Sequence, residues 1–211
     1  MEVVAVECCK IEYGARRAVE ALAAGELVVM PTDTVYGLAA RADDRPACER
    51  IFKAKRRPAD RPLPVLLAEP GELEAVAREV SDAVRALAEA FWPGPLTIVV
   101  PKSDAVPDWV TAGRDTVGVR VPDDPIARLV LRMADFLVAV TSANLSDEPT
   151  RADGRSCAAE LAEKVAVVLE AGPRTQRPST VVHVDRGKVR VLRKGPVGAS
   201  ELKRALEAAG V

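Results

Sequence analysis

Short apolar runs alternate along the chain with stretches whose apolar residues recur every three to four positions, which predicts strands interleaved with helices. Val3 to Val6 and Leu27 to Met30 read as strands, the second stopping at Pro31. Between them, Ala15 to Ala24 reads as a helix closed by Gly25, a residue suited to the left-handed turn that ends many helices. Asp43 to Lys55 sets Ala47, Ile51 and Ala54 on one helical face. Leu63 to Ala68 is the next strand, followed by helices at Glu72 to Ala77 and Ser81 to Phe91, with Ser81 placed as N-cap. After the break Trp92-Pro93-Gly94-Pro95, strands are expected at Leu96 to Val100 and Val117 to Val121. A helix from Pro125 to Met133 begins with proline, and strand Leu137 to Val140 runs into Thr141-Ser142-Ala143-Asn144. A helix near Cys157 to Lys164, strand Val165 to Leu169, a hairpin-like pair Val181 to Val184 and Val189 to Leu192, and helix Ser200 to Ala209 complete the pattern. Crossovers and hairpins together imply an α/β fold with a mixed sheet. No repeat or convincing linker interrupts it, so residues 1–211 are expected to form a single domain.

Composition narrows the chemistry. With 48% hydrophobic and 29% charged residues the chain reads as globular rather than disordered. Thirty Lys and Arg nearly cancel 31 Asp and Glu, so any anion site must be built locally rather than by a whole-protein field. Cys8, Cys9, Cys48 and Cys157 form no CxxC pair, which disfavours a zinc knuckle or a thioredoxin-type site and suits free thiols in a reducing compartment. His183 is the single histidine, which excludes mechanisms needing two; within Val181-Val182-His183-Val184 it reads as a structural strand residue. The N-terminus lacks a secretory signature, and no apolar run approaches the roughly 20 residues of a membrane span, so the cytoplasm is the expected location.

Lys53-Ala54-Lys55-Arg56-Arg57-Pro58-Ala59-Asp60-Arg61-Pro62 is the most basic stretch. Its two prolines lower the entropy lost on holding an anion, and its guanidiniums suit phosphate oxygens. A solvated basic face and a nucleic-acid patch are the competing readings, the latter weakened by the lack of aromatic residues for stacking. Pro31-Thr32-Asp33-Thr34-Val35-Tyr36-Gly37-Leu38 and Thr141-Ser142-Ala143-Asn144 each follow a buried strand, where α/β sheets place ligands; capped turns explain them equally well. Pro178-Ser179-Thr180-Val181 adds a hydroxyl pair at a strand start. Arg120 and Arg193 sit in otherwise apolar strand segments, where a guanidinium either reaches solvent or is paired. Neither a Walker GxxxxGK[ST] nor a GxGxxG loop is present, so phosphate binding would fall to side chains.

The order of these segments is itself a signal: PTDTVYGL from Pro31, KRRP from Lys55, WPGPLT from Trp92, VGVRVP from Val117, TSAN from Thr141, PSTV from Pro178, then Leu192-Arg193. Over roughly residues 13 to 195 the chain closely resembles the YrdC-like family of threonylcarbamoyl-AMP synthases. The resemblance implies a twisted mixed α/β sheet flanked by helices around a large basic concave cavity. It implies formation of threonylcarbamoyl-AMP and pyrophosphate from L-threonine, bicarbonate and ATP, with Mg²⁺ accompanying the nucleotide. The product would feed N6-threonylcarbamoyl modification of adenosine 37 in tRNA, completed by a partner transferase complex; direct RNA binding is a further implication. By motif position, Thr34, Arg120, Thr141 and Ser179 would contact threonine. Arg57, Arg61, Thr116, Ser142, Ala143 (through its backbone), Asn144, Arg151 and Arg193 would contact ATP, joined by Lys55. Lys55 and Arg57 would carry the catalytic charge neutralisation, and no protein ligand to a metal is identified.

Two departures accompany the resemblance. Leu66 stands where many relatives have a histidine lining the amino-acid site. The sequence ends at Val211, so the C-terminal domain of longer members, and gating by its linker, are not expected. A pure RNA-binding module gives no reason for Thr34, Thr141 and Ser179 beside the basic set. A hydrogenase-maturation type of carbamoyl-adenylate chemistry would come with acylphosphatase-like and zinc-finger segments, which this sequence lacks.

Overall fold

A computed structural model of the chain describes residues 1–6, 10–161, 163–185 and 188–211. Its elements in order are β1 (Glu2–Ala5), α1 (Ile11–Ala23), β2 (Val28–Met30), β3 (Gly37–Arg41), α2 (Arg45–Lys55), β4 (Val65–Leu66), α3 (Leu73–Val76), α4 (Asp82–Phe91), β5 (Leu96–Pro101), α5 (Asp108–Thr111), β6 (Thr116–Arg120), α6 (Pro125–Met133), β7 (Val138–Ser142), α7 (Gly154–Glu160), β8 (Val167–Glu170), β9 (Thr180–Asp185), β10 (Lys188–Arg193) and α8 (Ala199–Ala208). The strands join in one sheet ordered β1-β8-β2-β3-β7-β4-β6-β5-β9-β10. Parallel pairs (β1 with β8, β5 with β9) and antiparallel pairs (β3 with β7, β9 with β10) make it mixed, as the sequence predicts.

Local chemistry accounts for most boundaries. The Asp44 carboxylate accepts from the Ala47 amide at 3.1 Å and starts α2, and Ser81 caps α4 through the Val84 amide. Asp124 caps α6 through two amides, with Pro125 in its first turn. Gly25, at φ 75°, turns the chain away from α1. The expected strand from Leu63 to Ala68 contracts to Val65–Leu66. Two elements escape the periodicity: the single turn α5 and strand β3. The β3 sequence Gly-Leu-Ala-Ala-Arg has little strand preference of its own and is extended because it is laddered between β2 and β7. Of the four cysteines, Cys48 and Cys157 are free and buried, whereas Cys8 and Cys9 lie outside the described residues.

The two sheet faces are covered unequally. On one face, Val29, Leu38, Ala139, Val119, Ile98 and Val182 form a continuous apolar layer beneath α2, α4, α7 and α8. Each valine, leucine or isoleucine of this layer contributes roughly 1.5–3 kcal/mol of burial. On the other face, Val28, Met30, Ala39, Val140 and Leu66 pack under α1 and α6, and this second layer ends at β4. Side chains alternate along a strand, so Thr97, Val99, Thr116, Gly118, Val181 and His183 share that second face where no helix covers it. The uncovered half of this face leaves ligand-sized space above the strands.

Candidate active site

Two adjoining cavities occupy the edge of the uncovered face. The inner one, about 60 Å³, has room for a few water molecules and hence a small metabolite. Thr32, Thr34, Thr97, Arg120, Thr141, Ser142, Ser179 and Arg193 supply its polar lining, with Gly37, Pro64, Leu66 and Val140 among its apolar walls. The outer cleft, about 510 Å³, falls within the range of nucleotide-sized sites. Arg57, Arg114, Arg190 and Arg193 line it together with Thr116, Ser142 and His183, over a floor of Val99, Gly118 and Val181. Pro64, Thr97, Thr141, Ser142 and Arg193 border both spaces.

The inner pocket is held by a closed set of hydrogen bonds. Arg120, only 5% exposed, donates from Nε to the Gly94 carbonyl (2.9 Å), from Nη1 to Thr34 Oγ1 (3.0 Å) and from Nη2 to Asp33 Oδ1 (2.5 Å). Asp33 also accepts from the Asp123 amide, so one carboxylate joins the loop after β2 to the turn after β6. Thr32 Oγ1 lies 3.1 Å from Thr34 Oγ1 and donates to the Val35 carbonyl at 2.6 Å, so the motif is a structured turn as well as a wall. Across the pocket, Thr97 and Ser179 pair their hydroxyls at 2.8 Å, and Arg193 donates to both the carbonyl and the hydroxyl of Ser179. A Cβ on Gly37 would come within 2.6 Å of Val140, so glycine is what allows β3 this close approach.

The cleft is shaped by backbone carbonyls as much as by side chains. Arg57 donates to the carbonyls of Arg61 and Pro62, and Arg114 to that of Asp60, which fixes both guanidiniums at the rim. Burial lowers the pKa values of Arg57, Arg120 and Arg193; neighbouring Arg61 adds to the effect on Arg57, and Arg120 adds to that on Arg193. Arginine stays charged regardless, so the lowering reflects mainly the loss of water around these guanidiniums. Gly118 keeps the floor open, since a Cβ there would meet Thr97 at 3.3 Å and Pro64 at 3.7 Å.

Several expected contacts stand elsewhere. Lys55 is 1% exposed and lines neither cavity; its ammonium donates to the Ser142 carbonyl, to the Asn144 carbonyl (2.5 Å) and to Asn144 Oδ1 (3.1 Å). Burial, then the charge of Arg57, pushes its pKa down to about 7. Asn144 and Ala143 are buried in the turn that Lys55 pins, and the Ala143 amide donates to the Tyr36 carbonyl. Arg61 pairs with Asp147 at 2.9 Å and Arg151 with Glu160, both outside the two cavities.

Other residues of the site carried no signal of their own. His183, read as structural, lines the cleft, because β9 puts every second residue on the uncovered face. Arg114 and Arg190 line it too, although neither belongs to a motif. Arg174 donates to the Thr32 carbonyl (2.9 Å) and to Asp124 Oδ2 (3.0 Å), tying the loop before β9 to the inner wall. The arginine-rich region after Arg186 could have hinted at Arg190; nothing local distinguishes Arg174.

The donor set bears on metal binding. Among the described residues no group of three His, Cys, Asp or Glu side chains is placed to hold a metal ion, and neither cavity is lined by a carboxylate. Mg²⁺ favours carboxylate and phosphate oxygens, so these residues do not fit a protein-held Mg²⁺. No helix among the described residues is long and apolar enough to cross a membrane.

A hydroxyl-lined pocket thus opens into an arginine-lined cleft on one face of a mixed α/β sheet. The chain belongs to the Sua5/YciO/YrdC family, whose model, described as "Telomere recombination", matches residues 20–195. It is 38% identical to the threonylcarbamoyl-AMP synthase of Pyrococcus abyssi, over 92% of this chain and 58% of that protein. It is 40% identical to a putative threonylcarbamoyl-AMP synthase of Mycobacterium tuberculosis, over 90% of this chain and 87% of that one. Its structure resembles the crystal structure of Pyrococcus abyssi Sua5 complexed with L-threonine, with a TM-score of 0.85 and 37% identity, over 97% of this chain and 59% of that chain. The chain thus spans less than two thirds of the Pyrococcus abyssi protein that it matches.

Proposed function

We propose that the chain is an L-threonylcarbamoyladenylate synthase, forming threonylcarbamoyl-AMP and pyrophosphate from L-threonine, bicarbonate and ATP. One observation carries the reading: Thr34, Arg120, Thr141 and Ser179, from four distant segments, line one small pocket that opens into an arginine-lined cleft. Relatives named for this activity, and one crystallised with L-threonine, support it.

In this reading threonine occupies the inner pocket, its carboxylate on Arg120 and its hydroxyl among the threonine and serine side chains. ATP occupies the cleft, with Arg57, Arg193, Thr116 and Ser142 as its contacts and Arg61 and Arg151 as outer candidates. Lys55 serves the site by holding the Ser142–Asn144 turn in place. The amine and bicarbonate give a carbamate, whose oxygen attacks the α-phosphorus and expels pyrophosphate. Such a step needs positioning and charge neutralisation rather than a covalent nucleophile. Mg²⁺ would arrive on the phosphates, and no step is assigned to it. Leu66 in the pocket wall replaces a polar contact with an apolar one, which suits the methyl group of threonine.

Residues 1–211 act as one domain in this proposal, because a single sheet runs from β1 to β10. The product passes to a tRNA-modifying transferase complex, in the cytoplasm where ATP and tRNA meet. A stand-alone RNA-binding role is less well supported, since no Phe, Tyr or Trp side chain lines the cleft for base stacking. The test is pyrophosphate release from ATP by the purified protein: release should require threonine and bicarbonate together. Release that ignores threonine, or none under any condition, would falsify the reading.

A further inference from the structure

Arg174 lines neither cavity, yet its guanidinium joins segments that build the inner pocket. Nε donates to the Thr32 carbonyl at 2.9 Å, Nη1 to the Ala171 carbonyl at 3.0 Å and Nη2 to Asp124 Oδ2 at 3.0 Å. Its own backbone amide donates to the Ala152 carbonyl at 2.7 Å. We propose that Arg174 is a positioning residue for the amino-acid pocket: from outside, it fixes the turn that carries Thr32 and Thr34 relative to the segment that carries Ser179. The proposal rests on the function set out above and adds to it a residue that touches no substrate.

The path of the chain shows what such a brace does. β8 and β9 are consecutive in the chain but stand seven strand positions apart in the sheet. On a flat sheet that separation is about 34 Å, since neighbouring strands lie about 4.8 Å apart. The ten residues from Ala171 to Thr180 reach at most about 33–36 Å when fully extended. Either the sheet curls toward this connection or the connection runs extended. In both cases a pin along it decides where Pro178 and Ser179 enter the pocket lining.

The pin has a fixed base. The turn after β2 is held at two points by the turn after β6. On the pocket side, Asp33 accepts from the Asp123 amide and from Arg120. Behind it, Arg174 links the Thr32 carbonyl to Asp124, the next residue along. Asp124 is 3% exposed, and its other oxygen accepts from the Ile126 and Ala127 amides, so the helix start of α6 holds the carboxylate in place. All three guanidinium nitrogens of Arg174 are engaged. A planar fork of directed donors suits that task; the single ammonium of a lysine would keep the charge pair with Asp124 without also holding the Thr32 carbonyl.

That difference separates positioning from mere support, and the full chain tests it in steady-state pyrophosphate release. Arg174→Lys keeps a cation beside Asp124 and should fold. Its KM for threonine should rise about tenfold, as Thr34 loses its placement opposite Ser179. Its KM for ATP should stay within about twofold, because Arg57 and Arg114 are held by the carbonyls of Asp60, Arg61 and Pro62. A purely structural role lowers the melting temperature and kcat with both KM values unmoved; that result, or an equal rise in both KM values, overturns the proposal. Should the lysine variant not fold, Asp124→Asn replaces it with the same expected split, since asparagine still caps α6 but removes the charge that Arg174 pairs with. Calorimetric titration with L-threonine alone reads the pocket without turnover and should show the same loss in either variant. A wild type that binds threonine but releases no pyrophosphate refutes the proposed reaction, and the binding comparison then decides on Arg174. A wild type that binds no threonine overturns both.

Discussion

The inner pocket and the outer cleft lie side by side on one face of the sheet yet are built on opposite principles. In the pocket the strong groups are anchored in advance: Arg120 is paired with Asp33, bonded to Thr34 and Gly94, and nearly sealed from solvent. Its shape and donors are set before a ligand arrives, which favours selectivity at low entropic cost. In the cleft, arginines are held at the rim through carbonyls and face space lined by no carboxylate. A rim of that kind attracts anions of many sorts, through a field that salt screens. Under the proposed function, selection of the amino acid falls to the pocket and recruitment of the nucleotide to the cleft.

That contrast can be broken most severely at Arg120. Arg120→Ala leaves the partly buried Asp33 carboxylate with only the Asp123 amide, so stability should fall by about 3 kcal/mol in denaturant unfolding. The threonine requirement should rise by roughly a hundredfold or more, and Arg120→Lys should not restore it because a lysine cannot reproduce three directed bonds. A smaller effect, confined to the other side, is expected at Gly118. Gly118→Val fills the cleft floor against Thr97 and Pro64 and should weaken ATP binding roughly tenfold. Calorimetric titration of threonine should change little; an equal loss for both ligands would mean that the two spaces are not separable.

The smallest effect concerns Lys55, which belongs to neither space and holds the turn between them. Its folded pKa of about 7 lies below the ordinary 10.5, so between those values the unfolded chain carries the extra proton. Its contribution therefore makes stability rise with pH across that window. Above about 9 the buried thiols act oppositely, since Cys48 and Cys157 are pushed up to about 12 and about 11. Lys55→Met should flatten the rise between pH 7 and 9 in thermal melts. It should also cost about 1–3 kcal/mol by leaving the Ser142 and Asn144 oxygens without their donor. An unchanged pH profile would show that Lys55 stays charged in its cage of three oxygens.

Much of the fold was legible in the chain. Apolar periodicity located α1, α2, α4, α6, α8 and most strands, and Gly25, Ser81 and Pro125 mark ends through their own backbone and capping preferences. These are local effects, decided within a few residues, and so they survive in a linear reading. The motif order likewise named Thr34, Arg120, Thr141 and Ser179, four of the residues that line the inner pocket. What stayed hidden depends on partners far away in sequence. β3 is a strand because β2 and β7 flank it, Arg120 is paired because Asp33 lies 87 residues off, and His183 faces the cleft because no helix covers that half of the sheet. Lys55 shows the division most clearly. Its sequence determined a cation at the end of α2, but only the fold, by bringing the Ser142 and Asn144 carbonyls onto it, decided that the charge pins a turn instead of lining the cleft. Composition fixes which groups a chain can offer, whereas desolvation and long-range hydrogen bonding, which exist only in the assembled core, decide how each is used.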